Sequence, residues 1–201
     1  VMFINGSCGD MSTRFTRRES TFAELERFGG IVRDKIHAMQ AETRDLPLET
    51  IGLGYHSISL QEAPVDSPED AEYKLAEATR RYEEVKAATG DTTQIRSAYS
   101  FVEGATINKF KAMALHGTQP GLYTVPVGLL HLGPRTIVCS PFELYSVLAI
   151  RLKEQYPIQM FGYNNNVLGY LADASSYDNK DYEALSSRFA KGQGEVYIQK
   201  L

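Results

Sequence analysis

Tyr123-Thr124-Val125-Pro126-Val127-Gly128-Leu129, then Gly133-Pro134-Arg135, then Thr136-Ile137-Val138-Cys139-Ser140-Pro141-Phe142-Glu143 is the stretch that decides the fold. Tyr123, Val125, Val127 and Leu129 alternate, so they share one face of a strand. Gly133-Pro134-Arg135 reads as a turn, and 136–139 returns as a short buried strand, which makes a hairpin. Pro141 has no backbone N–H to give a ladder and stops the strand. Residues 142–155 read as a helix and 158–161 as another strand. With the helices upstream, this predicts an α/β or α+β fold, a mixed and partly antiparallel sheet packed with helices.

Upstream, Ile51 to Leu60 reads as a strand whose apolar parity changes from Ile51, Leu53 and Tyr55 to Ile58 and Leu60. A bulge or bend near Gly54 would explain the change. Ser67-Pro68 is a helix start, with serine as cap and proline at the first position, and the helix runs to about Ala88. Its alternating Glu, Lys and Arg suit a solvated face. A further helix spans about 93–115 and is closed by Gly117. Nearer the start, Thr21 and Glu24 form a capping box. Phe22, Leu25, Phe28, Val32, Ile36 and Met39 then recur at the spacing of one buried helical face. Gly29 and Gly30 in that helix suggest close packing. Val1-Met2-Phe3-Ile4 reads as a buried strand, Asn164-Asn165-Asn166 as a loop, and 181–190 as a final helix.

The chain has 201 residues, 43% of them hydrophobic, which suffices for a real core. One domain over 1–201 is expected. Opening on an apolar strand, it is expected to be the C-terminal part of a larger catalytic domain. A net charge of -4 is too mild for a nucleic-acid footprint. No apolar run approaches the ~20 residues needed to span a bilayer. Two cysteines, Cys8 and Cys139, are too few for a disulfide scaffold or a four-thiolate zinc site and are expected to be free and buried.

Three stretches could carry chemistry. Asn5-Gly6-Ser7-Cys8-Gly9-Asp10-Met11-Ser12 is a small-residue loop whose amides can face an anion or a polarised carbonyl. Ser12 could be a nucleophile or a substrate contact, although no base is fixed by spacing, and the loop taken alone also reads as a structural turn. Glu143, expected in the first turn of a helix after Pro141, could ligate a metal, act as a base, or serve only the electrostatics of the helix terminus. The third is Gly162-Tyr163-Asn164-Asn165-Asn166-Val167-Leu168-Gly169-Tyr170, an amide-rich loop that suits a site wall or a plain Asx turn. His37, His56, His116 and His131 form no metal-binding pair by spacing.

Taken in order, these stretches resemble the neutral/alkaline non-lysosomal ceramidase family. Gly9, Asp10 and Ser12 match its Asn-x-Gly-Asp-Val-Ser-Pro-Asn motif. Asn5 lies slightly further upstream than in the family, and Thr13-Arg14 stand where the family has Pro-Asn. Glu26-Arg27-Phe28-Gly29 is similar to its Arg-x-x-Gly element. Pro141-Phe142-Glu143 followed by Arg151-Leu152-Lys153 resembles its Pro-x-Glu and Arg-Leu-Arg. Asn164 to Tyr170, then Tyr182-Glu183, resembles its last motif, with Asn166 or Val167 at its first tyrosine.

The resemblance implies a zinc site in which Glu143 and Tyr170 are two of four ligands and two histidines come from a missing N-terminal half. It implies that Ser12 and Asp10 serve catalysis and that Asn5 and Gly9 contact substrate. The implied reaction is hydrolysis of an N-acyl amide, such as a ceramide-like lipid, by metal-activated water. The chain alone would then bind zinc weakly and be inactive. Two other readings stay open: a non-catalytic member keeping the fold for binding or structure, and a metal-independent hydrolase using Ser12.

Overall fold

The computed structural model describes residues 3–13 and 16–201. In chain order the elements are α1 (Phe22–Gln40), β1 (Ile51–Gln61), α2 (Pro68–Ala88), α3 (Thr92–Leu115), β2 (Leu122–Leu132), β3 (Arg135–Cys139), β4 (Glu143–Leu144), α4 (Ser146–Gln155), β5 (Ile158–Phe161), β6 (Tyr170–Leu171), α5 (Ala174–Asn179), α6 (Tyr182–Ser186) and α7 (Gln193–Gln199). Four strands form a sheet in the order β1-β2-β3-β5, and β4 pairs with β6 in a second, two-stranded sheet. The β1/β2 and β2/β3 pairs are antiparallel, while β3/β5 and β4/β6 are parallel. This is the mixed, partly antiparallel α/β arrangement expected from the hairpin.

One face of the larger sheet makes the core. Ile58, Leu60, Val125, Val127, Val138 and Met160 are buried there with Leu144, Leu148, Leu152 and Leu171. Phe142 is its centre, edge-on to Phe189 at 5.4 Å and to Tyr197 at 5.1 Å between ring centroids. Such pairs add roughly 0.5–1.5 kcal/mol each beyond area burial. Tyr197 keeps its hydroxyl satisfied by donating to Ser140 Oγ at 3.0 Å, where both residues are buried.

Helix α2 packs against α3, and α3 packs against α6. Ser67 Oγ caps α2 by accepting from Asp70 N, with Pro68 at the first position. The charged face of α2 is solvated, with Arg80 paired to Glu77 and Glu84. Both cysteines are free and half-buried.

Several local expectations change. β1 pairs with β2 without interruption from Ile51↔Leu132 to Gln61↔Leu122, so no bulge sits near Gly54. The parity change instead puts apolar residues on opposite faces at the two ends of one regular strand: Ile58 and Leu60 are buried, while Ile51, Leu53 and Tyr55 are exposed. Helix α1 has the N-cap half of the expected capping box, Thr21 accepting from Glu24 N, while the Glu24 carboxylate takes Arg18 N and Arg27 instead of Thr21 N; the helix's apolar stripe is uncovered. Phe22 is 85% exposed and Leu25, Val32, Ile36 and Met39 are exposed as well. Gly29 and Gly30 have no atom close enough to explain them by packing.

Of the expected first strand, Val1 and Met2 lie outside the described residues, Phe3 and Ile4 are not in a strand, and Phe3 is 84% exposed. The expected 181–190 helix is cut to α6. There Ser187 Oγ donates to Tyr170 O at 2.9 Å, Ala63 N to Arg188 O at 2.8 Å, and Ala190 N to Gln61 O at 3.0 Å. The backbone finds sheet-like partners and leaves the helix.

Candidate functional site

Glu143 does not open a helix. It lies on β4, and α4 begins three residues later at Ser146, so the helix-dipole argument for its carboxylate does not apply. Its backbone N–H donates to Gly169 O at 3.0 Å, and Tyr145 N–H donates to Leu171 O at 3.2 Å. In this short parallel ladder Glu143 is the direct register partner of Tyr170, and Leu144 of Leu171. Residues opposite one another in register project to the same face. The strand alternation sends Leu144 and Leu171, both fully buried, into the core and leaves Glu143 and Tyr170 half-buried on the other side.

The 5–13 loop closes over this pair. Gly9 N donates to Leu144 O at 2.9 Å. A Cβ at Gly9 would stand 2.3 Å from Glu143 O, so only glycine lets the loop approach β4 this closely. The adjacent Cys8 Sγ then lies 3.6 Å from Tyr163 Oη, and the Tyr163 hydroxyl donates to Glu143 Oε2 at 3.3 Å. Tyr163 has a φ of 59°, an uncommon conformation for a bulky residue. It is tied on both sides, because Asn164 N donates to Ser140 O at 2.9 Å and the hydroxyl is held by Glu143.

Tyr170 is backed by the C-terminal segment, its ring edge-on to Tyr182 at 6.0 Å. Beside it Tyr145 donates to Glu183 Oε2 at 3.1 Å. Burial, then the neighbouring charge of Glu143, pushes the Tyr170 phenol well above the usual tyrosine range. Tyr163 is raised by burial first, then by Cys8 and Glu143. Both phenols are therefore neutral near pH 7 and act as hydrogen-bond donors toward carboxylate.

The other residues singled out by sequence are placed as follows. The Asp10 carboxylate accepts from Ser146 N at 2.8 Å and Ser146 Oγ at 2.7 Å. It thereby caps α4, whose own N-cap residue Tyr145 makes no side-chain cap bond. Asn5 reaches the region through its backbone, accepting from Gly162 N at 3.0 Å, and its side chain is exposed. Ser12 is exposed. In the amide-rich loop, Asn164 Nδ2 donates to Gly162 O at 2.9 Å and Asn166 Oδ1 accepts from Val167 N at 2.8 Å, so these two amides serve the turn itself.

Tyr163 and Cys8 join the cluster although sequence reasoning gave neither a role. Tyr163 sits at the head of the Asn run, immediately after the glycine that ends β5, and that position is the one trace of it in the sequence.

The chemistry available is that of one carboxylate flanked by two neutral phenols. Glu143 and Tyr170 are side-by-side oxygen donors. Among the described residues no group of three His, Cys, Asp or Glu side chains could hold a metal ion. His131 is engaged with Thr136 Oγ1 at 3.1 Å and His37 with Gln40 at 3.3 Å. Two oxygen donors are fewer than the three or four protein ligands that a zinc site takes. No helix among the described residues is long and apolar enough to cross a membrane.

No family model and no curated protein matches the chain. Among solved structures it is similar to a ceramidase complexed with C2, at 19% identity and a TM-score of 0.34, over 38% of this chain and 13% of that one. It is similar to the neutral ceramidase from Pseudomonas aeruginosa at the same identity and TM-score, over 38% of this chain and 14% of that one. The chain thus spans about a seventh of the ceramidase structures it matches.

Proposed function

We propose that this chain contributes one wall of a zinc-dependent amide hydrolase site of the ceramidase type, with Glu143 and Tyr170 as two of the metal ligands. The observation that carries the reading is the register pairing of Glu143 with Tyr170, which sets a carboxylate and a phenol side by side on the solvent-facing side of a two-residue ladder. Tyr163 fixes the carboxylate from one side by hydrogen bonding. Such outer partners orient a ligand before the metal arrives. Two histidines from outside the chain complete the shell. Zinc, when bound, would supply an activated water and polarise the carbonyl of an N-acyl amide. Backbone groups of the 5–12 loop and Ser12 then line the approach of the substrate, a ceramide-like lipid or related acyl amide.

The decisive experiment is Glu143→Ala in the full-length protein purified with zinc. Removing outer-shell partners alone typically costs 10–100-fold in affinity or activity. Loss of a direct ligand is expected to cost roughly 100-fold or more in hydrolysis of a fluorogenic N-acyl amide, with a matching fall in zinc content by emission spectroscopy. Retention of full zinc content and activity would sink the proposal.

A further inference from the structure

Lys111 lies on α3 with its ammonium drawn under the end of α6. Its Nζ donates to the carbonyl oxygens of Ser186 and, at 2.8 Å, Ser187. An ammonium has three N–H donors, so these two carbonyls leave one unused. Burial is the one influence acting on this group, and it pushes the pKa down to about 8; no carboxylate offsets it. Lys111 is half-buried, and a cation partly withdrawn from water without an anion is costly.

The same side chain lines a cleft of about 560 Å³ between α3, α6 and the ends of β1 and β2. The size falls in the range of small-molecule sites, roughly 300–1,000 Å³. Leu115, Pro120 and Leu185 give it an apolar wall. Its other charges are already satisfied. Arg188 Nε donates to Glu62 Oε1 at 2.7 Å, and Glu62 Oε2 accepts from Gly121 N at 3.1 Å. Asn108, a polar residue of the lining, donates to Asp66 outside it at 2.6 Å. Among the charged side chains that line the cleft, Glu62 and Arg188 pair with each other and Lys111 has no ion-pair partner.

We propose that this cleft binds an organic monoanion with an apolar tail, a medium-chain carboxylate, its head group on Lys111 Nζ and its tail along Leu115, Pro120 and Leu185. The site does not depend on the amidase reading, because it uses none of Glu143, Tyr163 or Tyr170.

The test is calorimetric titration of the chain with sodium octanoate and, separately, with 1-octanol, repeated on Lys111→Met. Saturable one-to-one binding of octanoate is expected, weakened by roughly tenfold or more for octanol and for the variant, as loss of a charge-assisted hydrogen bond would produce. Equal affinity for octanol, absence of saturable octanoate binding, or unchanged binding by a folded Lys111→Met would overturn the proposal. Should circular dichroism show that the variant does not fold, the wild-type comparison is paired with acetic anhydride labelling read by mass spectrometry. Octanoate is then expected to protect Lys111, and undiminished labelling would count against the site.

Discussion

At the scale of single residues, Gly9 controls how the candidate site is built. Its N–H holds Leu144 O at 2.9 Å, and the space for a side chain is already taken by the Glu143 carbonyl. Gly9→Ala is expected to push the 5–13 loop off β4 and to destabilise the chain by roughly 1–3 kcal/mol, the usual cost of forced overpacking. A thermal melt indistinguishable from wild type would show that the loop yields without cost. The glycine was visible in the sequence as part of a small-residue loop, but its reason was not. The backbone it meets comes from a strand more than 130 residues further on, and only the folded chain puts the two together.

At the scale of elements, α4 lacks a local cap and borrows one. Asp10 supplies it through two hydrogen bonds to Ser146. Losing a cap costs ~1 kcal/mol, within roughly 0.5–2. Asp10→Ala is expected to lower stability by about that amount in chemical denaturation. Asp10→Asn, which keeps an acceptor oxygen, should lose less. A catalytic part for Asp10 would show itself differently, as lost turnover in Asp10→Asn at nearly full stability.

Helix α1 offers a second element-scale test. Its Glu24 carboxylate accepts from Arg27 Nε at 2.8 Å and Nη2 at 2.5 Å and from Arg18 N at 2.8 Å. The hydrogen bond from Arg27, then that from the Arg18 amide, lowers its pKa from 4.5 to about 2. A carboxylate depressed in the folded state stabilises fully above its unfolded value and loses that contribution as pH falls toward its folded one. The start of α1 is therefore expected to loosen between about pH 4.5 and 2. Amide exchange near 18–25 would report it, and Arg27→Gln should move the loosening to higher pH. Exchange that is flat across this window would contradict the assignment.

At the scale of the whole molecule, α7 closes the core against the middle of the chain. Tyr197 from α7 meets Phe142 and bonds Ser140, at the junction where β3 gives way to β4. Tyr197→Phe keeps the ring packing and leaves the buried Ser140 hydroxyl without that partner. A net buried hydrogen bond contributes about 1 kcal/mol, and an orphaned group costs ~1–3. A loss of roughly 1–2 kcal/mol by denaturant titration is expected, and a gain in stability would show that the bond contributes nothing.

Local chemistry alone determined much of this protein. The alternation at Tyr123, Val125, Val127 and Leu129, the Gly-Pro turn, the Ser-Pro cap of α2 and the Thr21 cap of α1 are all written in neighbouring residues, because strand period, turn geometry and caps act over a few positions. Tertiary structure decided the rest. It left the apolar stripe of α1 exposed, although periodicity shows that a helix has an apolar face and says nothing of what covers it. It put Glu143 on a strand instead of a helix, because the pairing partner that holds it extended, the 169–171 segment, lies some 27 residues away in sequence. It also joined Glu143, Tyr163 and Tyr170 under the Gly9 loop. Side-chain convergence from four separated segments depends on sheet order and register, which no single stretch of sequence encodes.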